Sequence, residues 1–380
     1  MLYLDAAATS PVRREALEAM WPYLTSDFGN PSSRHTVGES AARALTAARA
    51  QVAAFFGCRP GEVVFTAGGT EAANLAVKGI ALGDPRRRHL VTTRIEHEAV
   101  LASVDHLERL HGFEVSYVDL DRHGVVSPEA LAAVVRDDTA LVSVAHANNE
   151  IGTTQDLRAL AEVCRWAGVP FHSDAVQTAG WLPTRVGDLG VDALSISGHK
   201  VGAPKGVGAL YLAGRLPIEP LVHGGGQERG RRSGTENVAG AVALGVAVGL
   251  AEASREARAA AAVEARDAFV GAVLELVPGA EFTGAPVSRL PANASFVFPG
   301  TNGEAILLEL ERRGVVSSSG SACAAGDDGP SHVLTALGYP DDVAQTAVRF
   351  TWQADVTAAE LVPVATAVRD SVAAVAAILR

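Results

Sequence analysis

Two short motifs form a chemical pair in this chain. The first is Ser197-Gly198-His199-Lys200, in which a lysine closes an apolar run among small polar residues. The second is an isolated acid at the end of another apolar run, Asp174 in His172-Ser173-Asp174-Ala175-Val176-Gln177. A lysine so placed can form a Schiff base with an aldehyde while serine and histidine hold a phosphate, and an acid at a strand end can pair with a protonated pyridine nitrogen. The combination points to pyridoxal phosphate. Singly, each has a plainer reading: a solvated lysine, and an aspartate that caps a helix or meets a nearby arginine.

Other residues extend the pair. Ala67-Gly68-Gly69-Thr70-Glu71 joins a strand pattern to a helix pattern, where free N–H groups and the helix dipole favour an anion; an ordinary turn with Thr70 as N-cap is the alternative. His97 follows a strand pattern and can set its ring against a planar cofactor or simply start a helix. Gln177 can donate to a phenolate oxygen on that ring, and Asn149 can reach the same oxygen or a substrate carboxylate; either side chain can instead satisfy loop backbone. Arg349, alone in the apolar run Val348-Arg349-Phe350, needs an anion, either a substrate carboxylate or a structural acid. Cys323 lies in a run of small residues, 317–326, which supplies little packing to pin a loop, so it reads as an exposed thiol available as a nucleophile, the alternative being the inert buried thiol usual for a lone cysteine. Cys58 and Cys164 fall on helical patterns and read as inert thiols. No Walker-type ending and no Gly-x-Gly-x-x-Gly follows a strand pattern, so the common nucleotide signatures are missing.

The elements that must position these residues are legible from periodicity. Apolar, β-branched runs at 63–66, 89–93, 114–120, 141–147, 170–174, 193–197 and 208–212 alternate with helical spacing at 39–56, 71–81, 99–111 and 157–167. This predicts an α/β fold with one large, mainly parallel, seven-stranded sheet. Every motif named up to Lys200 follows a strand, and in open α/β sheets ligands gather beyond the carboxyl ends of the strands, so the motifs should converge on one edge. A long Ala-rich helix is expected from about 235 to 276, and the remainder reads as a smaller α+β domain. The expected division is a large domain over 13–255 and a small one made of 1–12 and 256–380, carrying the Cys323 loop.

Composition excludes several classes. The chain has 380 residues, 48% hydrophobic and 20% charged, enough to bury a large core, and a net charge of -11 that argues against nonspecific nucleic-acid binding. Its basic runs, 86–88 and 229–232, are short, and the first reads as a solvated loop. Three cysteines without Cys-x-x-Cys spacing predict neither a disulfide framework nor a metal site and fit a reducing cytoplasm. The N-terminus has no secretory pattern, and the apolar stretch 238–251 is too short to span a bilayer.

Taken in order, the motifs resemble the cysteine desulfurases of the iron–sulfur-cluster-assembly type, group I, within the class V aminotransferases of fold-type I. The resemblance runs through Tyr3-Leu4-Asp5-Ala6-Ala7-Ala8-Thr9, Phe28-Gly29-Asn30-Pro31, Gly69-Thr70-Glu71, Glu96-His97, Asn148-Asn149-Glu150, Asp174-Ala175-Val176-Gln177, Ser197 to Lys200, Gly224 to Glu228, Arg232-Ser233-Gly234-Thr235 and Ser319-Gly320-Ser321-Ala322-Cys323. It implies that Lys200 holds pyridoxal 5'-phosphate covalently and moves protons at the substrate Cα. It also implies that Asp174 pairs with the ring nitrogen, that His97 stacks on the ring as acid or base, and that Gln177 bonds the phenolate. Gly69, Thr70, Ser197 and His199 would hold the phosphate, with Thr235 contributed to the second subunit of a homodimer. Asn149 and Arg349 would orient L-cysteine, and Cys323 would take its sulfur as a persulfide, releasing L-alanine and passing sulfur to an acceptor protein. Two departures stand out: Thr351-Trp352-Gln353 replaces a Ser-Leu-Gly-like run, and the sequence ends at Arg380, before the extension with which many relatives dock a scaffold. Competing activities on the same cofactor are an aminotransferase or a lyase acting on selenocysteine or cysteine sulfinate; a noncatalytic scaffold is the remaining alternative.

Overall fold

The computed structural model describes residues 1–319 and 329–378. In chain order the first part comprises β1 (Leu2–Tyr3), α1 (Arg14–Thr25), α2 (Thr36–Phe56), β2 (Val63–Thr66), α3 (Gly69–Asn74), α4 (Ile80–Gly83), β3 (His89–Thr92), α5 (Glu98–His111) and β4 (Glu114–Tyr117). There follow α6 (Pro128–Val134), β5 (Thr139–Ser143), α7 (Leu157–Ala167), β6 (Phe171–Asp174), α8 (Val186–Leu189), β7 (Ala193–Ser197) and β8 (Gly208–Leu212). The last third holds α9 (Val238–Ala253), α10 (Arg255–Leu276), β9 (Glu281–Phe282), β10 (Asn293–Val297), α11 (Gly303–Arg312), β11 (Val315–Val316), α12 (His332–Ala336), α13 (Asp341–Ala344), β12 (Val348–Thr351) and α14 (Ala358–Ile378).

Strands β2 to β8 form one seven-stranded sheet in the order β2-β8-β7-β6-β5-β3-β4, with β8 alone running against its neighbours. The central strand β6 is buried at all four positions, as expected of a parallel strand covered by helices on both faces. One polar rung crosses this interior: His172 Nδ1 pairs with Ser143 Oγ at 2.9 Å and its Nε2 with Ser195 Oγ at 3.2 Å, linking β5, β6 and β7. Burial holds the His172 imidazole neutral, with its pKa lowered to about 3.

Helix α7 shows how local sequence builds a layer. Leu157, Leu160, Ala161 and Cys164 recur at spacings of three and four and all face the core. Asp156 caps the start by accepting the Ala159 N–H, and Gly168 ends the helix at φ 64, a left-handed turn in which glycine has no Cβ penalty.

A second core lies under α10, α11 and α14 and the three-stranded sheet β12-β10-β9. Phe269 meets Phe350 and Phe296 edge-on, at 5.3 Å and 6.1 Å between ring centroids. Leu4 joins this core, and β1 pairs with β11, so the chain's first residues belong with its last third.

Four local expectations change. The 141–147 run yields a strand only to Ser143, because the Ala145 N–H turns to the Glu96 carboxylate instead of a neighbouring strand. The 71–81 helix begins at Gly69 and passes through a π turn at Leu75–Gly79. The Ala-rich stretch is two helices bent by 66° around Ser254, which leaves helical geometry. Within 86–88, Arg86 stays on the surface with Asp84, whereas Arg87 donates to the Thr139 and Gly168 carbonyls and Arg88 lies 5.1 Å over the Phe113 ring.

Cys164 is buried in α7, and Cys58 sits just past the end of α2; burial pushes both thiols up to about 12, away from nucleophilic use. By length and composition α14 could cross a bilayer, yet Leu361, Val364, Ala365, Val368 and Val375 are buried in the second core.

Candidate active site

One cavity of about 830 Å³ opens at the carboxyl edge of the large sheet. Its walls include Gly69 and Thr70 after β2, His97 after β3, Asn149 after β5, Asp174 and Gln177 at β6, and Ser197, His199 and Lys200 at β7. Nine of the twelve candidate residues therefore share one chamber. The reason is topological: parallel strands joined by helices return every carboxyl end to the same side of the sheet.

Asp174 is the last residue of the buried strand β6. Its Oδ1 accepts the Val176 N–H at 2.8 Å, a local turn contact, and no arginine or lysine forms a salt bridge with it among the described residues. Burial raises its pKa, while His97, the Val176 N–H and Lys200 pull the other way. A carboxylate in this position is stabilised by a cation that enters the cavity.

Lys200 follows β7 through a short 3-10 turn and reaches the N-terminal segment, where Nζ donates to the carbonyls of Ala7 and Ala8, the latter at 2.7 Å. These carbonyls hold the amine at the cavity wall. His199 pairs through Nδ1 with Thr9 Oγ1 at 3.1 Å, and burial, with Lys200 and Lys205 nearby, lowers its pKa to about 4, so its ring is neutral. Gly69 allows the phosphate-type turn to lie close: a Cβ there would stand 2.8 Å from Val176 Cγ2 and 3.1 Å from Ser197 Cβ. Thr70 lies in the first turn of α3, exposed to the cavity, and the N-cap position is taken by Gly68.

His97 takes the helix-start role and also lines the cavity. It caps α5, with Nδ1 accepting the Ala99 N–H at 3.0 Å, and its ring lines the cavity. Because Nδ1 accepts, the neutral ring carries its proton on Nε2. Gln177 donates to the Ala7 carbonyl at 3.2 Å, which orients its amide beside Lys200.

Two described candidates, Arg349 and Thr235, stand apart from the cavity wall. Arg349, on β12, is buried; Nη1 donates to the Asn149 carbonyl at 3.0 Å, Nη2 to Asp5 Oδ1 at 2.8 Å, and Nε has no partner. Thr235 is exposed, three residues beyond Arg232, whose guanidinium pairs with Glu71 at 2.8 Å. Cys323 lies outside the described residues.

The structure also adds residues that the sequence reading did not single out as chemical. Lys205 lines the cavity, and its signal was a second lysine five residues beyond Lys200, in Ala-Pro-Lys-Gly. Glu96 is buried just behind His97, and nothing in Arg94-Ile95-Glu96 distinguishes it from a surface acid. The departure Thr351-Trp352-Gln353 falls on the wall of a narrow cavity behind Lys200 that Gln177 also lines, and buried Trp352 Nε1 has no partner there.

The donor set fits pyridoxal 5'-phosphate. Hydroxyls of Thr70 and Ser197, the neutral His199 and the Lys205 cation suit a phosphate, the buried Asp174 suits a protonated ring nitrogen, and Lys200 suits an aldehyde.

Comparison with known proteins agrees with this geometry. The family described as Aminotransferase class-V matches residues 2–362, and the chain belongs to that family of pyridoxal-phosphate enzymes. Within it the chain groups with the cysteine desulfurases. Cysteine desulfurase IscS of Dictyoglomus turgidum is 45% identical over 351 residues, covering 92% of this chain and 89% of that protein. Among solved structures, a NifS-like protein superposes with a TM-score of 0.91 at 35% identity, covering 98% of this chain and 99% of that one. SspA, solved in complex with cysteine, has a TM-score of 0.81 at 35% identity over 93% of this chain and 99% of its own.

Proposed function

We propose that this protein is a cysteine desulfurase in which Lys200, Asp174 and Cys323 divide the chemistry, converting L-cysteine to L-alanine and leaving the sulfur as a persulfide on Cys323. The observation that carries this reading is the single cavity lined by both the Lys200 amine and the Asp174 carboxyl. A relative of similar fold was solved with cysteine bound, which supports the substrate class.

Asp174 would pair with the protonated ring nitrogen of pyridoxal 5'-phosphate, which, when bound, would supply an electron sink for bond breaking at the substrate carbon. Gly69, Thr70, Ser197 and His199 bind its phosphate, and Gln177 donates to its phenolate oxygen. Arg349 and Asn149 orient the substrate carboxylate, and Lys200 moves the proton at Cα. The Cys323 thiolate attacks the substrate sulfur, forming the S–S bond as the C–S bond breaks; the electron pair goes to Cβ, which takes a proton to become the methyl group of alanine. His97 Nε2–H supplies a hydrogen bond or a proton in this sequence. The persulfide sulfur then passes to an acceptor protein for iron–sulfur cluster or thio-cofactor and tRNA synthesis. The working protein is a cytoplasmic homodimer in which Thr235 serves the partner's phosphate site, built from a large domain over 13–255 and a small domain of 1–12 and 256–380.

The test is product analysis. Wild-type protein with L-cysteine and reductant should yield equal alanine and sulfide, and Cys323→Ala should keep the cofactor absorbance but make no alanine. An active C323A enzyme, or amino transfer to a 2-oxo acid in place of sulfide release, overturns the reading.

A further inference from the structure

Glu96 is a buried acid whose two oxygens have different surroundings. Oε1 accepts twice, from Thr93 Oγ1 at 2.8 Å and from the Ala145 N–H at 3.0 Å, whereas Oε2 is buried with no partner among the described residues. An ionised carboxylate shares its charge equally and requires donors at both oxygens; a protonated one has a carbonyl oxygen that accepts and a hydroxyl that does not need to. The bonding is that of a neutral acid. Leaving a charged oxygen bare in the interior costs more than leaving a hydroxyl without an acceptor.

The groups facing this carboxyl come from every neighbouring element. Asp174 at the end of β6 is tied to the same segment, because His146, next to Ala145, donates its N–H to the Asp174 carbonyl at 2.9 Å. His97 follows Glu96 directly and begins α5. From α12, His332 Nε2 bonds the Glu96 carbonyl oxygen at 3.1 Å, with Glu98 3.9 Å from the other side of that ring. Lys200 faces Asp174 across the cavity.

We infer that Glu96 is a positioning residue that keeps a proton at neutral pH, so that it adds no negative charge beside Asp174 and His97 stays a neutral Nε2–H donor. The inference rests on the reading of Asp174 and His97 given under Proposed function. A second anion at Glu96 would stabilise imidazolium at His97 and any cation in the cavity. Burial accounts for the proton: it raises the Glu96 pKa to about 8, with Asp174 adding to the rise and the Ala145 N–H, Thr93 and His97 opposing it. Asp174, open to a cation in the cavity, and Glu96, with one oxygen lacking any donor among the described residues, thus take different parts in the charge of the site.

The experiment compares wild-type holoenzyme with Glu96→Gln, which keeps the shape and the neutral charge. The infrared difference spectrum at pH 7 should contain the carbonyl stretch of a protonated carboxylic acid, lost in E96Q and lost in the wild type above pH 8. Below about pH 8 the absorbance titration of the bound cofactor should superimpose in E96Q and wild type, since both then carry a neutral group at this position. A carboxylate stretch alone at pH 7, or a cofactor titration that already differs between the two proteins below about pH 8, overturns the inference. If E96Q does not fold, the same infrared titration on wild-type protein labelled with carbon-13 at glutamate gives the answer. The infrared band is independent of turnover, so a protein that makes no alanine yet shows the band separates failure of the functional reading from failure of this one.

Discussion

Arg349 and Asp5 stand 344 residues apart in the chain and form an ion pair, Nη2 to Oδ1 at 2.8 Å, with the guanidinium buried and the carboxylate partly exposed. The pair ties β12 to the N-terminal segment, whose carbonyls at Ala7 and Ala8 hold Lys200. Arg349, proposed above to orient substrate, and Lys200 are thereby held by the same short stretch of backbone.

Asp5→Ala should therefore do more than remove a surface charge. It leaves a guanidinium buried without its carboxylate, which typically costs about 3–5 kcal/mol. The expected outcome is a lower thermal midpoint and a higher KM for L-cysteine, with Asp5→Asn intermediate because its oxygen still accepts. Unchanged KM and midpoint in D5A would show that the pair neither supports the fold nor positions Arg349.

Asp174→Asn keeps the turn contact to the Val176 N–H but removes the charge. A hydrogen bond to a charged group contributes about 1.5–3 kcal/mol, so alanine formation should fall by about 10- to 100-fold with the fold intact. Lys200→Ala should lose the cofactor's covalent attachment, seen as the absence of a borohydride-fixed label on the peptide that carries residue 200. A label that persists in K200A places the attachment elsewhere.

The polar rung at His172 predicts acid sensitivity. Its folded pKa of about 3 lies below the unfolded value of about 6.5, so the unfolded state binds the extra proton. Stability from this group is complete above the unfolded value and is lost as pH falls from there toward 3. His146, lowered to about 4 by burial, adds in the same direction. Glu96 acts oppositely: its folded pKa of about 8 lies above the unfolded value of about 4.3, so its contribution declines as pH rises between the two. Denaturant midpoints measured from pH 4 to 7 should rise in wild-type protein and rise less steeply in His172→Asn. Equal slopes would mean that the His172 imidazole is not neutral in the fold.

Much of the site was visible in the residues because strand ends are local features. The run Ala193–Ser197 and the motif after it needed only a short apolar run and small polar neighbours to be read, and the structure buries the whole strand and sets Ser197, His199 and Lys200 on the cavity wall. The 141–147 run was read too long because its apolar pattern continues after the ladder stops; what ended the strand was a hydrogen bond to Glu96, about fifty residues earlier. Arg349 was left between substrate carboxylate and structural acid, and tertiary contact supplied the acid without removing the other role, since Nε remains unpartnered.

By itself the sequence determined the alternation of strands and helices, the chemical types gathered at the strand ends and the cofactor they suit, because periodicity and side-chain chemistry act over a few residues. Only tertiary structure decided which acid keeps its proton, which carbonyls hold the Lys200 amine and which carboxylate meets Arg349. Those properties depend on burial and on partners distant in the chain, and one residue type has different proton affinities in water and in a packed interior.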